Sequence, residues 1–165
     1  MPNPNSEILY PQPTILLTGG LGFIGSHTAV ELIANGYNVV IADNLSNTRI
    51  EVLEAIFRVS GVNPAFENID LSDKTAVKNL CEKYSFDGCI HFAAFKAVGE
   101  SVANPLKYYD NNLSSLTYLL QNFTQKGWSN FIFSSSCTVY GQADKMPITE
   151  DAPIKPAESP YGNTK

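Results

Sequence analysis

The chain lacks what a membrane or nucleic-acid protein needs. No apolar run approaches the ~20 residues that cross a bilayer. Basic residues are outnumbered, with 11 Lys and Arg against 16 Asp and Glu in 165 residues. The isoelectric point falls near 4.9. A surface of that sign offers no footprint for nucleic acid or for an acidic membrane. Cysteine is scarce: Cys81, Cys89 and Cys137 form no C-x-x-C pair. They read as free thiols in a reducing compartment, and no metal site is expected. No secretory signal opens the chain, so the expected location is cytoplasmic. There is no internal repeat and no low-complexity stretch.

What is present is enough for one domain. Hydrophobic residues make up 44 % of the chain, so it can bury a core. Residues 1–13 carry four prolines and are expected to form a flexible tail before the first strand. The expected domain is 14–165.

The stretch Thr14 to Gly25 organises the rest. An apolar run, Ile15-Leu16-Leu17, has the length of a buried parallel strand. It breaks into Gly19, Gly20, Gly22 and Gly25. A helical pattern then sets in with Ile24, Thr28, Leu32 and Ile33. In that context Gly19 lets the chain turn off the strand, Gly22 leaves room for a ligand at the backbone, and Gly25 brings the helix close to the sheet. The free N–H groups and dipole of the new helix favour a diphosphate. A second strand, Val39 to Ala42, ends at Asp43, 18 residues past Gly25. A carboxylate at that spacing accepts the ribose hydroxyls of an adenosine and repels a 2′-phosphate, which predicts NAD rather than NADP.

Strands and helices continue to alternate. A helix is expected over 49–59, ended by Gly61, and a strand over 65–69, ended by Asp70. Ser72 is expected to cap a helix carrying Ala76, Val77, Leu80 and Tyr84 on one face. A fourth strand is expected over 89–92, followed by a loop over 95–104. Pro105 opens a long helix whose apolar stripe reads Leu106, Tyr109, Leu113, Leu116 and Leu120. The fifth strand is expected over 130–134. The pattern predicts an α/β fold, a doubly wound parallel sheet in the order 3-2-1-4-5, with ligands at the carboxyl ends of strands one and four.

Ser134-Ser135-Ser136 ends strand five, and Tyr161-Gly162-Asn163-Thr164-Lys165 follows a proline-rich loop. On a helix, Tyr161 and Lys165 share a face. An ammonium beside a tyrosine favours its phenolate and suits it to act as a general base near neutral pH. Ser136 could hydrogen-bond the same substrate oxygen. His91 reads as a satisfied strand histidine and His27 as structural.

The segments T-G-G-L-G-F-I-G-S-H-T, D-N-L-S-N, H-F-A-A-F-K-A-V-G-E-S, Y-Y-D-N-N, F-I-F-S-S-S-C-T-V-Y-G and S-P-Y-G-N-T-K together resemble the UDP-glucose 4-epimerase family. That family is a branch of the extended short-chain dehydrogenases, with a Rossmann-type fold. The resemblance runs from Thr14 to Lys165. It implies that Gly19, Gly22, Phe23, Ile24 and Gly25 hold the pyrophosphate of NAD. Asp43, Asn44 and Asn47 would hold the ribose and neighbouring phosphate, and Asp70 and Leu71 the adenine. Phe92, Ala93, Ala94, Lys96, Asn111 and Ser134 would line the rest of the cofactor. Ser136, Tyr161 and Lys165 would be catalytic, with Lys96, Ser136, Thr138 and Tyr161 on the substrate side and Lys165 on the nicotinamide ribose. The implied reaction interconverts UDP-galactose and UDP-glucose through a transient 4-keto sugar, an isomerase step of galactose metabolism. A homodimer is implied for the full-length family member.

Two departures from the family pattern stand out. Cys137 replaces a small residue, often Ala, with little expected consequence. The sequence also stops at Lys165, before the expected sixth strand and sugar-nucleotide domain. On that account the chain is expected to be inactive alone, because so short a last segment is below the ~12–15 residues of a marginal isolated helix. Two alternatives stay open. One is another NAD-dependent sugar-nucleotide epimerase or dehydratase, although a dehydratase needs an acidic pair after Thr138 where Val139-Tyr140 stands. The other is a non-catalytic NAD-binding module.

Overall fold

The computed structural model describes residues 12–165; the expected tail lies, for residues 1–11, outside them. Among the described residues five strands and six α-helices follow in the order β1 (Thr14–Thr18), α1 (Phe23–Ala34), β2 (Asn38–Asp43), α2 (Val52–Ser60), β3 (Ala65–Asn68), α3 (Lys74–Lys83), β4 (Gly88–His91), α4 (Val98–Ala103), α5 (Pro105–Lys126), β5 (Phe131–Phe133) and α6 (Pro160–Asn163). The sheet is parallel throughout, in the order β3-β2-β1-β4-β5. That is the order read from the sequence.

Alternation along the central strands sends side chains to two cores. Leu16, Val40, Ala42 and Cys89 face α3 and α5, where Val77, Leu80, Cys81, Leu119 and Phe123 meet them. Leu17, Val39 and Ile41 face α1 and α2, with Ala29 and Ile56. The register sets Leu16 beside Val40 and Leu17 beside Ile41, so each layer is continuous across β1 and β2. Cys81 and Cys89 are packing residues. Burial pushes the Cys81 thiol up to about 11 and that of Cys89 well above its ordinary value, so neither is poised as a nucleophile. Cys137 is exposed, and all three cysteines are free.

The structure corrects several expectations. The helix expected from Arg49 begins at Val52, after a turn. Asp73, not Ser72, caps α3: its carboxylate accepts from the amides of Thr75 and Ala76. Ser72 instead donates its hydroxyl to Asp70 Oδ1 at 2.7 Å. The loop expected over 95–104 contains α4. The largest correction concerns α5. Its buried stripe is Tyr108, Asn112, Ser115, Leu119 and Phe123, whereas Leu106, Leu113 and Leu120 are exposed. β5 is a sheet edge, and Ile132 on it is exposed.

Candidate functional site

The carboxyl ends of β1, β2 and β4 open on one cleft of about 340 Å³. Its floor is the turn between β1 and α1. Gly19 has φ +63°, and a Cβ there would lie 2.8 Å from the Ala93 amide nitrogen. The first glycine therefore serves a left-handed turn and a backbone-to-backbone approach across β1 and β4. A Cβ on Gly25 would run into the Gly19 carbonyl and come within 2.7 Å of Gly20 Cα. Helix α1 is thus seated on the glycine turn itself. No side chain caps α1, so the amides of its first turn, which have no partner within a helix, are free for an anion. Phe23 and Ile24, 78 % and 60 % exposed, stand at this mouth. Ile24, part of the helical pattern of α1 and expected by the resemblance at the pyrophosphate, stands on the cleft wall.

Asp43 closes the far side. It is buried, and three donors already reach it: the amides of Leu21 and Leu45 and the Thr48 hydroxyl, at 3.2, 3.0 and 2.9 Å. The carboxylate therefore shapes the turn after β2 and still faces the cleft. An ionised carboxylate has about four acceptor sites, so one remains for a ligand hydroxyl. Leu45, at φ +58°, packs on the α1–α2 core and folds the loop so that Asn44, Ser46 and Asn47 line the cleft.

The third wall comes from β4, β5 and α6. Ser159 caps α6 by accepting from the Gly162 amide at 3.1 Å, with Pro160 at the first helical position. Lys165 donates its ammonium to the Ser134 carbonyl at 2.8 Å and lies 5.0 Å from the centre of the Phe133 ring. Burial lowers its pKa from the ordinary lysine value. Tyr161 and Lys165 both line the cleft. The last turn is one turn long, yet contacts with α5 and with the segment after β5 hold it, and they replace the helix length that an isolated peptide needs.

Every residue expected against the cofactor lies on this cleft: Gly19, Gly22, Phe23, Ile24, Gly25, Asp43, Asn44, Asn47, Asp70, Leu71, Phe92, Ala93, Ala94, Lys96, Asn111, Ser134, Tyr161 and Lys165. Ser136 and Thr138 do not. The Ser136 hydroxyl accepts from the Thr138 amide at 3.3 Å and caps the short 3-10 turn Cys137–Tyr140. Thr138 Oγ1 is buried without a hydrogen-bond partner, against the space left by the absent Cβ of Gly162. Sequence reasoning missed Thr48, Phe95, Ser115 and Ser135 on the wall. Thr48 and Ser115 carried no signal beyond their neighbours, because only the folded loops bring them in.

His91 lies just behind the cleft, 1 % exposed. Thr18 Oγ1 accepts from the Ala93 amide at 3.3 Å and is hydrogen-bonded to His91 Nδ1 at 2.7 Å. Burial, reinforced by the Lys165 ammonium, lowers the imidazole to about 4. A neutral histidine tying β1 to β4 is a structural group. His27 donates to the Phe23 carbonyl at 2.8 Å within α1. Among the described residues no group of three or more His, Cys, Asp or Glu could hold a metal ion.

A parallel sheet in this order, a glycine turn under an uncapped helix, an acid at the end of β2 and a Tyr-x-x-x-Lys turn define a Rossmann-type dinucleotide-binding domain. The family model described as GDP-mannose 4,6 dehydratase matches residues 16–165, and the chain belongs to that family. Among curated relatives, UDP-glucose 4-epimerase of Bacillus subtilis is 48 % identical over 151 residues, and that of Neisseria meningitidis serogroup A 46 % over 151 residues. Each match takes in 92 % of this chain and 44 % of the relative, so the chain spans under half the length of the relatives it matches. The crystal structure of UDP-glucose 4-epimerase from Bifidobacterium longum in complex with NAD+ and UDP superposes with a TM-score of 0.89 at 42 % identity, over 92 % of this chain and 45 % of that one.

Proposed function

We propose that this chain is the cofactor-binding half of an NAD-dependent UDP-glucose 4-epimerase, interconverting UDP-galactose and UDP-glucose. One observation carries the reading: the glycine turn, the buried Asp43 and the Tyr161–Lys165 pair open on a single cleft. The relatives' names and the bound NAD of the solved neighbour support it. The fit is good on the chain's own features. The amides of the first turn of α1, with Gly19, Gly22, Phe23, Ile24 and Gly25, suit the diphosphate. The remaining acceptor site of Asp43, with Asn44 and Asn47, suits the adenosine ribose. Asp70 and Leu71 border the adenine end, and Phe92, Ala93, Ala94, Lys96, Asn111 and Ser134 the nicotinamide end.

NAD, when bound, supplies a reversible hydride acceptor for the sugar carbon that is inverted. The protein's part is the proton. Tyr161 takes it from the 4′-hydroxyl and returns it, as a general base and then acid. Lys165, fixed on the Ser134 carbonyl, holds a positive charge beside that site. Ser136 and Thr138 are proposed on the sugar side, one step beyond the cleft wall. Val139-Tyr140, where a dehydratase needs acidic groups, favours epimerisation over the dehydration named by the family model. The uridine contacts are proposed to lie in the part of the relatives that this chain does not span. For the longer protein we propose a homodimer, which the exposed Leu106, Leu113 and Leu120 of α5 support. A cytoplasmic setting is supported by the three free thiols. Among the described residues no helix is long and apolar enough to cross a membrane.

The test is Tyr161→Phe in a protein carrying the full length of the relatives. Turnover of UDP-galactose should fall about 10²–10⁴-fold, the usual worth of a general base, with NAD still bound. Near-normal turnover would show that Tyr161 is only a packed side chain.

A further inference from the structure

Lys165 carries a partly buried positive charge that no acidic side chain neutralises. Among the described residues its ammonium makes no ion pair; each pair formed there belongs to another lysine. Burial works against the charged form and lowers its pKa. A charge in such a place needs compensation. Two neutral groups, one on β5 and one just past it, supply it. The Ser134 carbonyl accepts from Nζ at 2.8 Å, and Nζ stands over the Phe133 ring, 5.0 Å from its centre. That is inside the ~6 Å within which the negative face of an aromatic ring attracts a cation.

The ring is itself held from behind. Phe133 is half-buried on β5, and its register neighbour on β4 is His91. The two rings stack with centres 6.0 Å apart and planes 24° apart. His91 is buried and bonded to Thr18. Its imidazole takes no proton until about pH 4, so at neutral pH it brings no second cation to the ring. Ser134 and Lys165 line the cleft, whereas Phe133 does not. The ring therefore reaches the cleft only through the ammonium.

A carboxylate in place of the ring would hold the ammonium more firmly. The resulting pair, however, would be nearly neutral as felt at Tyr161. A ring face and a carbonyl have no net charge, and their attraction fades faster with distance than that of an ion. They stabilise the ammonium and leave its field at Tyr161 standing.

We propose that Phe133 is a positioning residue whose ring face keeps the Lys165 ammonium charged and in place beside Tyr161 without cancelling its charge. This rests on the reading of Tyr161 and Lys165 given above, and Phe133 acts through Lys165 alone.

The experiment uses this chain with Phe133 replaced by mono-, di- and trifluorophenylalanine. These withdraw negative charge from the ring face stepwise at nearly constant size. Lys165 is titrated by NMR of 13C-labelled lysine side chains, its signal being the one lost in Lys165→Arg. NAD affinity is measured by calorimetry. Tyr161, His91 and the carboxyl group of Lys165 itself are the same throughout the series. Each step should lower the Lys165 pKa further, and NAD should weaken in parallel, about threefold over the series. The same series at Phe131, whose ring meets His91 at 6.2 Å but has no ammonium over it among the described residues, should leave the Lys165 titration where it was. A titration that stays flat across the Phe133 series, or that moves as much with Phe131, overturns the proposal whatever NAD does. A stepwise fall with NAD affinity unmoved upholds it and takes Lys165 off the cofactor. A wild-type chain that does not bind NAD sinks the cofactor reading, and the titration then judges the ring by itself.

Discussion

His91 holds a proton balance that solution conditions can move. The unfolded imidazole titrates near 6.5, whereas the buried one, desolvated and facing the Lys165 ammonium, refuses a proton until about 4. Between those values the unfolded chain binds the proton that the folded chain excludes. Stability therefore falls as pH drops through this window, by up to about 3 kcal/mol, and the loss levels off below it. Urea unfolding at pH 7 and pH 4.5 should show a smaller difference in His91→Gln than in the wild type. An equal difference would mean that His91 is not buried neutral. Asp43 makes a second residue-scale prediction. Its carboxylate should disfavour a 2′-phosphate, so the chain should bind NAD in preference to NADP by calorimetry. Asp43→Asn keeps acceptors for Leu45 and Thr48 but removes the charge, and should narrow that preference by about tenfold or more. Equal wild-type affinities would reject the role. The sequence made Asp43 legible through its spacing from Gly25. It could not show that the same carboxylate also builds the turn after β2.

Helix α5 was legible as a helix and misread as a face. Its leucines recur at helical spacing, and Pro105 and Gly127 mark its ends. Period alone gives two candidate stripes, and composition favours the leucine one. The fold chose the other, because Tyr108 and Asn112 on that stripe satisfy the backbone of the loop after β4, while Leu119 and Phe123 fill the core. Polar residues faced inward where they had backbone partners to meet. Leu119→Ala should therefore cost about 2–5 kcal/mol, the range for a buried leucine. Its neighbour Leu120→Ala, 41 % exposed, should cost about 0.5 kcal/mol or less in this chain, as surface positions do. Guanidinium denaturation of both variants checks this; a larger loss from Leu120 would favour the stripe read from the sequence. The cap of α3 carries a similar lesson. Ser72 and Asp73 are both good caps, and only the approach of Ser72 to Asp70 assigned the role to Asp73.

The molecule as a whole brings a cofactor cleft and a preformed Tyr161–Lys165 turn into a chain that spans 44 % of its curated relatives. Because that turn is held, the expected defect of this chain lies in binding the sugar rather than in its base. It should take up NAD and show no measurable conversion of UDP-galactose, for want of the remote contacts that place a substrate. Coupled-assay turnover by the purified, folded chain would overturn this and mean that residues 12–165 contain a complete site. The sequence by itself determined the strand order, the glycine turn and the acid at the end of β2, because each is written in short-range spacing and strand–helix alternation. Tertiary structure alone decided what depends on distant neighbours. It turned the polar stripe of α5 inward and hid Thr138 against Gly162. It also stabilised a one-turn α6 through Asn112, Tyr109 and Ser134, groups 31 to 54 residues away along the chain.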